Sequence, residues 1–222
     1  MSIQPQSDIL IIGGGPAGLM AAISAGQLST GIKVTLLESG PRVGRKLCLT
    51  GGKRGNFTNQ ASLRELIQAF EPRGKWLHPA LRRFGPEQIR QFFASCGIPS
   101  QVEDEGRVFP ISQRASDLTD ALEEEALQLG AHIITDQRVT SVTQTGNLWL
   151  AQTNDGTSYS SRTLILAGGG ASFPGTGSDG SCLKLAATLD IPVHAFTPAL
   201  SPVRYTERQP TEQLTGLSMT AG

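Results

Sequence analysis

The stretch that decides the fold is Asp8–Gly18, DILIIGGGPAG, read together with Val34–Glu38, VTLLE. Four apolar residues, Ile9 to Ile12, run straight into Gly13-Gly14-Gly15-Pro16-Ala17-Gly18. An alanine-rich segment follows, and a second apolar run, Val34 to Leu37, ends in an acid. Strand, tight turn, helix and strand in that order predict the opening unit of a dinucleotide-binding fold. Gly13 permits the sharp turn, and Gly15 lets bare main chain approach a pyrophosphate. Gly18 lets the helix pack close to the sheet. Pro16 and Ala17 complete the turn into a helix whose free N–H groups and dipole favour negative charge. Glu38 lies 25 residues after Gly13, where a carboxylate accepts ribose hydroxyls.

Working outward, the first helix runs through Leu19, Met20, Ala21, Ala22 and Ile23 and is expected to end near Gly26. Val34 to Leu37 suits a central parallel strand buried on both faces. A polar, glycine-rich segment from Ser39 to Asn59 is longer than a simple connector, and such loops are usually functional. Pro86 to Cys96 reads as an amphipathic helix, with Ile89, Phe92, Phe93 and Cys96 at i, i+3, i+4, i+7. Val102 to Phe109 reads as a hairpin turning at Glu105-Gly106. Leu118, Ala121, Leu122, Ala126 and Leu129 line a second helix closed by Gly130. Short strands follow at His132 to Thr135, Val139 to Thr145, Leu148 to Thr153 and Ser158 to Ser161. The turn signals Gly146-Asn147 and Asp155-Gly156 point to a β-meander. Thr163 to Ala167 is a further buried-strand run ending in Gly168-Gly169-Gly170, and Ser181 to Leu189 is expected to be the last helix, with Asp179 near its amino end as a cap. Beyond Pro192 prolines interrupt any helix, and QLTGLSMTAG suggests a strand leaving the first domain.

Bulk properties narrow the function. Lys plus Arg equal Asp plus Glu at 19 each, so no general attraction to nucleic acid or acidic membranes is expected. Glycine, 26 of 222 residues, is clustered after apolar runs rather than repeated, as close backbone approach to a ligand requires. Cys48, Cys96 and Cys182 are far apart without a CxxC, which argues for a reducing compartment and against a zinc site or disulfide framework. His78, His132 and His194 show no metal-ligand spacing. The first seven residues carry no charged side chain, and the apolar runs are too short to span a bilayer. A soluble cytoplasmic protein without metal, nucleic-acid partner or membrane anchor is the expectation; the sequence does not reveal its oligomeric state.

A nicotinamide dehydrogenase would repeat βα units after the acid. Here a basic glycine-rich loop, two peripheral helices, a meander and a returning strand follow, the order of FAD-binding domains of the glutathione reductase type. Three motifs sharpen this: GPRVGRKLCLTGGKRGNFTN at 40–59, GRVFP at 106–110 and ILAGGGASFPGTGSDG at 165–180. With them the chain, from Asp8 to about Pro202, resembles the BaiN/RdsA-like family of FAD-dependent oxidoreductases.

The resemblance implies that Gly13, Gly15 and Gly18 hold the pyrophosphate and Glu38 the adenosine ribose. It also implies that Arg45 and Lys46 sit near the cofactor, that Gly51 and Gly52 approach the flavin ring, and that the backbone of Val139 pairs with adenine. Ala167, Gly168 and Gly169 would pass beside the flavin or pyrophosphate. Arg107 and Phe109 are read as structural, a hairpin under the sheet. FAD is the implied cofactor, NAD(P)H the reductant and a small molecule the acceptor; no catalytic acid or base stands out. The fold expected is α/β: a Rossmann-like FAD-binding domain over residues 1–195 with a parallel sheet, a β-meander crossover and peripheral helices. An inserted β-rich domain is expected to begin at 196–222. Two departures from the family pattern stand out. GGGRCN is replaced by Gly51-Gly52-Lys53-Arg54-Gly55-Asn56, which adds a cation and removes a thiol. The chain also reads as truncated, so an incomplete, aggregation-prone nucleotide-binding remnant is the rival reading, and an RNA-directed flavoenzyme a more distant one.

Overall fold

The computed structural model describes residues 6–29, 31–194 and 196. The opening unit is as expected: β1 (Ser7–Ile12), α1 (Pro16–Leu28) and β2 (Val34–Leu37), with β1 and β2 parallel and Ile9 opposite Val34. Leu19, Ala22, Ile23 and Ala25 form one buried face of α1, the spacing of an amphipathic helix. The helix ends at Leu28, two residues past Gly26 and close to the expected place. A β-carbon at Gly26 would stand 2.7 Å from that of Leu129, so this glycine admits a neighbouring helix rather than ending its own.

The long loop after β2 contains two tight helical turns at Leu47–Lys53 and a short strand, β3 (Thr58–Asn59). The next segment holds two small helices that the sequence reading passed over, α2 (Leu63–Ala69) and α3 (His78–Arg83). Neither buries a residue, so neither shows the apolar periodicity that marks a helix, although Ser62 and Glu65 form a capping box at the start of α2. Then come α4 (Pro86–Ser95), β4 (Ser100–Val102), β5 (Arg107–Pro110) and α5 (Ala115–Gln128). β4 and β5 make the expected hairpin, and β3 adds to it as a third antiparallel strand. Phe93 of α4 anchors this layer by meeting Phe57 edge to face, with ring centroids 4.9 Å apart.

The remaining strands are β6 (His132–Ile134), β7 (Val139–Thr145), β8 (Leu148–Thr153) and β9 (Ser158–Leu166), followed by α6 (Ser181–Thr188). The main sheet runs β6-β2-β1-β9-β8-β7. Two expectations need correction. β6 does not belong to the meander; it pairs in parallel with β2, as the third strand of the dinucleotide-binding half. The two runs read separately as Ser158–Ser161 and Thr163–Ala167 form one continuous strand. β9 pairs antiparallel with β8 through its first half and parallel with β1 through its second. Arg162, between the two runs, is an exposed residue within it. The meander is hydrogen-bonded to the central sheet through β9, while its Val139, Val142 and Ala151 pack over Leu10, Ile12 and Leu37, the crossover that was expected.

Alternation along β1 feeds two cores. Ile11 packs with Leu19, Leu36, Leu118 and Leu122 on the face covered by α1 and α5. Leu10 and Ile12 pack with Leu37, Val142, Ala151 and Leu185 on the other. A strand buried on both faces is apolar throughout, which is why ILII reads as an unbroken run. The domain boundary near 196 and the strand expected in QLTGLSMTAG fall outside the described residues.

Candidate dinucleotide site

β1 is followed on one side by β2 and on the other by β9, so the strand order reverses between β1 and β9. Ligands of open α/β sheets bind at the carboxyl ends of the strands at such a point. The two strand ends meet closely there: Ala167 N donates to Ile12 O at 2.8 Å, and a β-carbon on Gly13 would lie 2.6 Å from Ala167 O. Gly13 also has φ +110°, so only glycine fits both the turn and the approach. Gly18 serves the same turn from behind, because its β-carbon would fall 1.9 Å from Gly13 O. Its role is to close the turn, and it does not line the cleft.

Gly15 differs. It has φ −75°, which any residue adopts, and beyond its immediate chain neighbours nothing approaches its β-position within 4 Å. Nothing in the protein itself asks for glycine here. The space that a side chain would fill opens onto a cavity of about 190 Å³ bounded by Pro16 and Ala17, Glu38, Arg45 and Lys46, Val139, and Ala167 to Gly169. Residues read from sequences far apart along the chain thus surround one cleft. Gly51 and Gly52 are not among its walls. They sit exposed in the loop with φ +55° and +65°, and Lys53 continues the left-handed run at +71°. That loop is pinned from below: the Arg54 guanidinium lies 4.2 Å from the Phe109 ring centroid and pairs with Glu103. Hydrogen bonding from Arg54 holds the Glu103 carboxyl below its usual range. The buried Phe109 has the structural role expected for it.

Glu38 is buried, and its carboxylate is engaged by the chain's own amides. Gly14 N donates to Oε2 at 2.7 Å and Gly40 N to Oε1 at 2.8 Å, with Ser39 Oγ also donating to Oε1 at 3.3 Å. One side chain therefore ties the glycine turn after β1 to the loop after β2, and it also lines the cleft. Arg45 and Lys46 are half-buried in the lining and bring two cations to the cavity. A carboxylate for hydroxyls, cations for a diphosphate and an unobstructed glycine turn between them fit an adenosine diphosphate moiety.

Sequence reasoning missed part of the lining. Gln137 and Arg138, just before Val139, and Thr176, Gly177 and Ser178 also border the cavity. Arg138 Nη1 pairs with Asp179 Oδ2 at 2.8 Å, while Asp179, one residue ahead of Gly180 at the N-cap of α6, accepts from Ser181 N at 3.0 Å. The hydrogen bonds from Ser181 and the Arg138 guanidinium hold the Asp179 carboxyl well below the usual carboxylate range. Cys182 lines the same wall, and burial pushes its thiol up. Cys48 lies elsewhere, with Arg42 Nη2 at 2.9 Å from its sulfur. Among the described residues no group of three or more His, Cys, Asp or Glu is placed to hold a metal, and no helix is long and apolar enough to cross a membrane.

A model of the HI0933-like protein Rossmann domain matches residues 7–219. The chain belongs to this family. It is a family of FAD-binding oxidoreductases, as the motifs implied. Among curated relatives, the 3-dehydro-bile acid Δ(4,6)-reductase of Clostridium scindens is 31% identical over 190 residues, 86% of this chain and 46% of the relative. The ribosomal RNA dihydrouridine synthase of Haemophilus influenzae is 31% identical over 216 residues, 96% of this chain and 52% of the relative. The chain spans about half the length of these relatives. The fold is also that of the 3-ketosteroid-Δ4-(5α)-dehydrogenase of Rhodococcus jostii RHA1, with TM-score 0.56 and 18% identity over 76% of this chain and 47% of that one.

Proposed function

We propose that this chain is the nucleotide-holding part of a flavoprotein oxidoreductase that takes FAD noncovalently and serves hydride transfer from NAD(P)H to a small unsaturated or carbonyl-type acceptor. Gly15 carries the reading: it is a glycine that the protein does not need, placed between two cations and a buried carboxylate at the switch point of the sheet. The turn from Gly13 to Gly18 supplies main-chain N–H groups to the diphosphate, and Arg45 and Lys46 neutralise it. Glu38 accepts from the ribose, and the backbone of Val139 borders the adenine. Bound FAD would supply the hydride chemistry, and the protein supplies position and electrostatics. Purified protein titrated with FAD tests this directly. Flavin absorbance that co-elutes with the chain and is displaced by ADP is the expected result. Binding of ADP without flavin would leave a nucleotide-binding remnant, and binding of neither refutes the reading.

One surface favours a second acceptor class. Arg64, Arg73, Lys75, Arg82 and Arg83 are all exposed on and around α2 and α3, beside Trp76 (86% exposed), Phe70 and Phe84. Cations interleaved with exposed aromatic rings suit single-stranded RNA, through phosphate pairing and base stacking. One of the relatives above is named for a ribosomal RNA substrate. A salt-dependent mobility shift of a structured RNA, lost on Trp76→Ala, supports this reading. Absence of any shift at low salt leaves the small-molecule acceptor.

A further inference from the structure

Residues 171–179 join the glycine turn after β9 to α6 and run along the mouth of the cleft. Their base is closed, since Gly180 N donates to Gly170 O at 3.1 Å. Such a loop with meeting ends is compact and frequently functional, and left-handed glycines at 169, 177 and 180 stand at and near its ends. Three side chains of the cleft walls fasten it. Lys46 Nζ donates to Ser172 Oγ at 3.4 Å, Arg45 Nη2 donates to Gly175 O at 2.6 Å, and Arg138 pairs with Asp179 at 2.8 Å. Between these ties the loop passes over the carboxylate corner, where the β-position of Gly177 lies 3.6 Å from Ser39 Oγ and 3.9 Å from Glu38 Oε1.

The ties are of two kinds. At the Arg138 end both partners are charged, and Asp179 is additionally bonded to the first turn of α6. At the other end two cations rest on neutral acceptors, a carbonyl and a hydroxyl, of an exposed segment. A diphosphate offers those same cations charged oxygens, so both partners of each bond are then ionised, and phosphate can take the Arg45 guanidinium bidentately. The cavity beneath is also narrow, about 190 Å³, against roughly 300–1,000 Å³ for small-molecule sites. We propose that 171–179 is a nucleotide-gated strap: a diphosphate entering the cleft takes Arg45 and Lys46 from Gly175 and Ser172 and releases that end, while Arg138–Asp179 keeps the other end latched beside the adenosine. This rests on the adenosine diphosphate reading of the site and adds to it the motion by which the site opens.

Hydrogen exchange followed by mass spectrometry on the chain, with and without saturating ADP, tests the exchange of partners. ADP carries the adenosine and the diphosphate without the flavin. Thr176 N and Gly177 N, bonded to Phe173 O and Pro174 O, report on the near end. With ADP, peptides covering 172–177 should exchange several-fold faster and those covering 178–182 more slowly. Arg138→Ala should speed exchange at 178–182 in both states and weaken ADP about twofold to fivefold, the range of a partly exposed ion pair, with Arg138→Lys recovering part of both effects. ADP that binds measurably but slows exchange throughout 172–182, or leaves it unchanged, overturns the strap and spares the site. Failure to bind ADP removes both.

Discussion

Replacing Glu38 by alanine tests whether this residue serves the protein before it serves a ligand. Its carboxylate accepts from the main-chain N–H groups of Gly14 and Gly40, at 2.7 and 2.8 Å, and both glycines are buried. Glu38→Ala strands both donors. Each buried unsatisfied donor costs roughly 1–3 kcal/mol, so the loss should be about 2–5 kcal/mol once water entering the gap is allowed for. In a chain of this size each kcal/mol moves the midpoint by roughly 2–4 °C, which places the drop at about 5–15 °C. Glu38→Gln retains one carbonyl acceptor but turns an amide N–H₂ toward the other donor, and should lose about half as much. The assay is thermal or urea unfolding followed by circular dichroism, with no nucleotide present. If Glu38 touched only a ribose, ligand-free stability would not move. A loss under about 0.5 kcal/mol for Glu38→Ala would refute the reasoning.

Gly15→Val should leave ligand-free stability unchanged, because its β-position is open and its φ is ordinary, yet abolish ADP binding measured by calorimetry. Gly26→Val should do the reverse: its β-carbon would meet Leu129 at 2.7 Å, costing about 1–3 kcal/mol by overpacking, with nucleotide affinity retained in the folded fraction. Asp179 has a folded pKa below its unfolded value, so its contribution is complete above the usual aspartate range near roughly pH 4 and is lost as pH falls through the depressed value. The stability difference between the protein and Asp179→Asn, followed by urea unfolding, should therefore be constant from pH 7 to 5 and shrink below about pH 4.

The glycine turn was legible because each of its glycines answers to a separate constraint that only that residue type meets. Position 13 needs a left-handed φ, position 18 faces a carbonyl, and position 15 faces the open cleft. Glu38 was found through its place at the end of β2, but its service to Gly14 and Gly40 depends on folded geometry that spacing does not carry. The small helices α2 and α3 escaped because they bury nothing, though the Ser62–Glu65 capping pair stood in plain view. Gly51 and Gly52 entered through family resemblance alone, and the cleft does not include them. Arg138 escaped for the opposite reason. A single cation between two strands looks like a solvated charge until the fold brings Asp179, forty-one residues onward, within 2.8 Å of it.

β9 has one further consequence. Ser161 stands opposite Trp149 in one ladder and opposite Ser7 in the other, so two neighbours of contrary direction fix its alignment together. A slip by one position would break both ladders and turn every inward side chain outward. The glycines at its far end are in this way indexed twice, like a rule read against two scales, and the floor of the cleft inherits that precision in part from β8, a strand that does not line it.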